Sequence, residues 1–351
     1  MKRVFIFIFL FWLSQTSLVS HARTLGVSGG FEISMSQSGD ETDIEVRQGA
    51  VRRFYLKKKG ASVSFQVFNR SGVQIQTGTD LAAIPDTLYR EFPGLRDRIQ
   101  SAFGAEDPKL RAKKMALLQK YNPMGYTVIE RLNRKDSFDF FTSSFQEDAV
   151  DALDTGVHES VHQLDSELES ARSGSRYFLL NGAVAEAPAF STFHRNEILS
   201  LLNPKDRVWN YYIGTYLDGS SGRQEFPVLL DELNAYAHGA NTVIELSEGL
   251  RQSHTINPGL IAMMGFVEKY LTLAQDRHPK TAQAIRQSSY VSLLQGLWGQ
   301  AERVLGRACA SRYASLQLTW RKALQALYAA QERQALEQVG GVKPVFPEAC
   351  R

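Results

Sequence analysis

Gly156-Val157-His158-Glu159-Ser160-Val161-His162-Gln163-Leu164-Asp165 is the stretch that decides how this chain is read. It lies in a helix that the neighbouring residues predict without it, over about residues 145–172. Ser144 and Glu147 have the spacing of a capping box, and Gly174 supplies a stop. Leu153, Val157, Val161, Leu164 and Leu168 recur at helical spacing and make one apolar stripe. His158 and His162 sit one turn apart on the neighbouring face. Two imidazoles at i and i+4 can reach a single metal ion, and Glu159 projects beside them, within reach of a water on that metal.

A metal site of this kind needs a third protein ligand. Leu229-Leu230-Asp231-Glu232-Leu233-Asn234-Ala235-Tyr236 is the best source, on a helix predicted over 226–250 with Pro227 in its first turn. Glu232 and Tyr236 are one turn apart on one face. The carboxylate would complete a His₂Glu set, and the phenol could donate to the oxyanion of a tetrahedral intermediate. Asp165, three residues after His162 on nearly the same face, is placed to orient an imidazole from behind. His238 is a further candidate donor. His194, His254 and His278 fall at helix ends or in loops.

These residues resemble the zincins, metallopeptidases with His-Glu-x-x-His on an active-site helix. The later glutamate on a separate helix is similar to the gluzincin arrangement. The resemblance covers about residues 145–240 in two short pieces. It implies zinc bound by His158, His162 and Glu232, Glu159 as general base, and a peptide or protein substrate cut by activated water. Substrates of such enzymes lie along a strand edge, for which Arg176-Tyr177-Phe178-Leu179-Leu180 is the candidate. The metzincin pattern does not fit, because Asp165 and Leu168 stand where that group has Gly and a third His. Gly214-Thr215-Tyr216-Leu217-Asp218-Gly219 faintly resembles the aspzincin segment and makes Asp218 a competing third ligand.

Outward from the site, residues 31–77 read as β. Phe31, Ile33 and Met35, then Val63, Phe65 and Val67, alternate with polar residues, and Ser38-Gly39-Asp40 and Asn69-Arg70-Ser71-Gly72 read as turns. Asp107-Pro108 starts a helix that Asn122-Pro123-Met124-Gly125 ends. Further helices are expected near 258–276, 280–308 and 311–338, and Asn203–Arg223 reads as extended or looped. The expectation is an α+β protein: a small antiparallel β module at 23–80, a mainly helical zincin-like catalytic domain at 81–339, and a tail at 340–351.

The first 22 residues read as a targeting segment. Lys2 and Arg3 precede the apolar run Val4–Leu13, and Ser20-His21-Ala22 has the small residues of a cleavage site. The mature chain would then be exported, periplasmic or secreted. No segment is apolar for the ~20 residues a membrane span needs. A formal net charge of +3 over 351 residues is too weak to imply a nucleic-acid partner. The two cysteines, Cys309 and Cys350, are expected to form a disulfide in an oxidising compartment. Two other readings stay open: a zincin-like binding protein without turnover, and a helical envelope protein with an accidental motif.

Overall fold

The structure, a computed structural model, describes residues 23–28, 31–38, 41–59, 62–78, 88, 92, 95, 108–133, 138, 141–142, 148–170, 174–202 and 209–351. The expected leader, the Gly39-Asp40 turn and the Ser144–Glu147 cap lie outside these. The fold is α+β, and the chain divides into two compact units between Asp107 and Pro108.

The first unit holds a six-stranded antiparallel meander in sequence order: β1 (Arg23–Ser28), β2 (Phe31–Ser38), β3 (Glu41–Gln48), β4 (Val51–Lys59), β5 (Ser62–Phe68) and β6 (Gln74–Gly78). Register follows the alternation. Ile33 pairs with Val46, Ile44 with Leu56, Val46 with Phe54, Leu56 with Phe65 and Phe54 with Val67, so one face gathers the buried side chains. Asn69 shapes the last hairpin, its Oδ1 accepting the Ser71 and Val73 amides at 2.9 and 3.0 Å, while Gly72 takes the left-handed φ of 79°. Leu88, Phe92 and Leu95 belong to the same core. The boundary therefore lies near 107, not at 80, because this apolar triplet shares the sheet's core.

The second unit is mainly helical. It begins with α1 (Pro108–Tyr121) and α2 (Pro123–Arg131). Asn122 both ends α1, as expected, and starts α2: its Oδ1 accepts the Gly125 amide at 3.0 Å, with Pro123 in the first turn. The motif helix is α3 (Ala149–Ser170), where Asp148 acts as the N-cap, its Oδ1 accepting the Val150 and Asp151 amides. The stripe behaves as its spacing requires: Leu153, Val157, Val161 and Leu164 are buried, and Leu168 packs at the edge of the core.

A hairpin follows, β7 (Ser175–Phe178) with β8 (Val184–Ala187), then a 3-10 stretch, Arg195–Leu201. Within the segment read as looped, the described residues are helical: one turn at Asn210–Tyr212, a π-turn at Ile213–Leu217 and another turn at Gly219–Gly222. Burial of Tyr212 and Leu217 overrides the poor helix propensity of this Gly- and Ser-rich stretch.

Next comes α4 (Phe226–Leu250), buried along most of its length and packed against α3. Gly239 permits their close approach, since a Cβ there would lie 2.3 Å from Asp154 Oδ1 and 3.6 Å from His158 Cβ. The helices expected at 280–308 and 311–338 are each split in two. After α5 (Gly259–Arg277) come α6 (Pro279–Ile285), α7 (Ser288–Ala310), α8 (Leu318–Leu327) and α9 (Ala330–Gln338). Ser311 stops α7 with a local turn, its Oγ accepting the Tyr313 and Ala314 amides.

Residues 340–351 are packed, not free. Glu302 on α7 accepts Trp298 Nε1, Tyr328 Oη and the Val345 amide at 2.9, 2.8 and 2.7 Å, and Cys350 is bonded to Cys309.

Candidate metal centre

The two central helices place the predicted residues together. His158 Nε2 and His162 Nε2 lie 3.2 Å apart, and Glu232 Oε2 from α4 is 3.9 Å from the first and 3.5 Å from the second. His158, His162 and Glu232 form a group that can hold a metal ion, the only such group of three or more ligands among the described residues. Asp218 is not part of it. That residue ends the π-turn, where its amide reaches Ile213 O and its carbonyl accepts the Gly222 amide.

Each imidazole is fixed by its other nitrogen or its ring. His162 Nδ1 meets Asp231 Oδ2 at 2.7 Å. Burial pulls the His162 pKa down, but the carboxylates of Asp231 and Glu232 outweigh it and hold the ring well above its ordinary value. His158 is pushed the other way, by burial and by His162, although a hydrogen bond with the Ala235 backbone opposes this. The Tyr236 ring stands edge-on to His158 with centroids 4.5 Å apart. Glu159 lies within electrostatic range of His162, Glu232 and Asp231, and burial lifts its carboxyl above the usual value.

Asp165 does not orient an imidazole. Its Oδ1 accepts the Phe178 amide at 2.7 Å and its Oδ2 accepts Asn234 Nδ2 at 2.8 Å. The physical reason is local: β7 passes beside α3 with backbone donors that must be satisfied. Asp165 takes the Phe178 amide, and Glu169, one turn on, takes that of Arg176. The Phe178 carbonyl accepts Asn234 Nδ2 at 3.1 Å and His238 Nε2 at 2.9 Å. The strand expected at 176–180 is present over Ser175–Phe178 alone, and side chains of the two helices already fill its outer edge, so it is not open to an added peptide. His238 is likewise structural, buried and committed to Phe178.

Reading from sequence missed Asp231, Asn234 and Tyr216. A signal for the first two was present: Asp231, Asn234 and His238 recur at spacings of three and four and so share one side of the helix. All three carry contacts to α3 or β7.

The burial of His238 sets a pH dependence that its bond to Phe178 only partly offsets. Burial pushes the His238 imidazole down to about 4, against 6.5 for an ordinary histidine. Between those pH values the unfolded chain binds a proton that the folded chain excludes, so stability is full above 6.5 and falls as pH drops towards 4. In urea melts, the wild-type protein should lose about 3 kcal/mol more than His238→Gln across this window. Parallel pH curves for the two proteins would contradict it.

No protein-family model, no curated protein and no solved structure matches this chain. What the centre can do therefore rests on its own geometry.

Proposed function

We propose that the helical unit is a zinc-dependent peptidase of zincin-like, gluzincin-type arrangement. The observation that carries this is the convergence of His158 Nε2, His162 Nε2 and Glu232 Oε2. Ligands about 2.0–2.1 Å from a tetrahedral zinc are separated by roughly 3.3 Å, and the separations here are 3.2, 3.5 and 3.9 Å. Glu232 Oε2 is also buried without a hydrogen-bond partner, a costly state that a cation relieves. Two neutral nitrogens and one carboxylate are a donor set suited to zinc.

A zinc ion held there supplies a Lewis acid that acidifies water near neutral pH and polarises a carbonyl. The residues of the chain do the rest. Glu159 takes the proton from the attacking water and passes it to the leaving amine. Tyr236 donates its hydroxyl proton to the oxygen that gains charge. Asp231 holds the His162 ring so that Nε2 keeps its lone pair for the metal. Export is part of the same reading, supported by the leader-like first 22 residues and by the Cys309–Cys350 bond, which suits an oxidising compartment.

The test is elemental analysis of the mature protein together with digestion of a peptide library. One zinc per chain and cleavage that stops on chelation are expected. A protein that takes up no zinc when it is supplied is a helical protein with an accidental motif. One that binds zinc and cleaves nothing is a binding protein. Asp231→Asn should keep the fold and lower zinc affinity roughly 10–100-fold, measured by competition with a chromophoric chelator. An unchanged affinity would remove Asp231 from this role.

A further inference from the structure

Tyr216 has no role in either metal-ligand reading, yet its hydroxyl lies 2.7 Å from that of Tyr236. Its position is set on several sides. It sits in the π-turn Ile213–Leu217, closed by the bond from the Asp218 amide to Ile213 O at 3.2 Å. Such turns are rare and concentrate where a helix must re-aim a side chain for function. The guanidinium of Arg195 lies 5.6 Å from the centre of the Tyr216 ring, and the Tyr212 ring stacks at 6.4 Å with planes 10° apart. Arg195 is itself buried and anchored, with Nε on Ser221 O at 3.0 Å and Nη2 on Ser221 Oγ.

Tyr236 has equally little freedom. Its ring fills the space left by Gly259, where a Cβ would come within 2.0 Å of Cε1. A phenol has one proton to give. If Tyr236 gave it to Tyr216, none would remain for a substrate. If Tyr216 donates, Tyr236 must direct its own proton elsewhere. Among the described residues Tyr236 Oη makes no hydrogen bond other than the one to Tyr216. Its ring lies against the His158 ligand.

We infer that Tyr216 is the positioning residue of this centre: it donates to Tyr236 Oη and so frees the Tyr236 proton to face the oxygen that gains charge. This rests on the peptidase reading. Arg195 supports it by holding the ring of Tyr216 from behind.

The test is a double-mutant cycle of Tyr216→Phe and Tyr236→Phe in the zinc-loaded full chain. It is read by kcat and KM on the best-cleaved library peptide and by affinity for a peptidyl phosphonamidate, a tetrahedral anion that mimics the charged intermediate. Tyr236→Phe should lower kcat about 10²-fold. Tyr216→Phe should lower kcat about tenfold, with KM within twofold and zinc content unchanged. In the Tyr236→Phe background the second substitution should cost nothing further.

Equal effects of Tyr216→Phe in both backgrounds would overturn the inference, as would loss of zinc or a change confined to KM. If the wild-type protein cleaves no peptide, the peptidase reading fails by itself, and phosphonamidate affinity then decides. An about tenfold weaker affinity in Tyr216→Phe, lost in the Tyr236→Phe background, supports the positioning role. Equal affinity in Tyr216→Phe, or no binding to the wild-type protein, overturns it.

Discussion

Glu159→Gln should keep its zinc and lose peptide hydrolysis by about 10³-fold. The two properties separate because Glu159 is close to the metal group without belonging to it. The amide has the size of the acid and leaves His158, His162 and Glu232 in place, but it cannot accept the water's proton. Zinc content by elemental analysis and kcat on the library peptide measure the two effects together. A variant that cleaves at near the wild-type rate would take the role of base away from Glu159. One that loses its metal would make Glu159 part of the metal site itself.

The second large effect belongs to the disulfide. Cys309 lies in the last turn of the long helix α7 and Cys350 is 41 positions later. Without the bond, unfolding releases a loop that contains α8, α9 and the packed tail. On the chain-entropy model, closing a loop of that length contributes about 4 kcal/mol. A Cys309→Ser/Cys350→Ser protein should therefore unfold at markedly lower denaturant, with the loss read from the unfolding free energy extrapolated to water, because the slope steepens when the unfolded chain loses its cross-link. The metal group should be unaffected, because none of its residues lies in this loop. A change below ~1 kcal/mol would mean that the other contacts of the tail, above all Glu302 with Val345, already restrain the unfolded loop.

Much of the second unit was legible because its signals are periodic. The stripe from Leu153 to Leu168 fixed α3 and the direction of both histidines, and Pro227 with its apolar run fixed α4. Glu232 followed from the need for a carboxylate on a second helix. The residues that surround the candidate metal group were less legible. Asp165 and His162 are three residues apart on one helix, so spacing alone pairs them. The direction of the Asp165 carboxylate is instead decided by the Phe178 amide of β7, a partner that sequence distance does not reveal. Asp231 takes the imidazole because α4 presents two adjacent carboxylates to α3.

Segment 209–222 was misread for a related reason. Its composition favours turns, and only the burial of Tyr212 and Leu217 makes it helical. The boundary at 80 was set by a change of composition. Leu88, Phe92 and Leu95, at spacings of four and three, carried the evidence for a later one.

The π-turn at Ile213–Leu217 has a consequence for what the chain tolerates. A π-turn carries one residue more than the α-helical path between the same flanks. Removing any one residue from 213–217 would let the turn relax to α geometry, in which each position advances by about 100°. Tyr216 would then shift its direction about the axis relative to the flanking helical turns. Substitutions at exposed positions of this segment are cheap, whereas a change in its length is not. The segment is thus a spacer whose residue count matters more than most of its side chains, and insertions or deletions are the changes it should resist most.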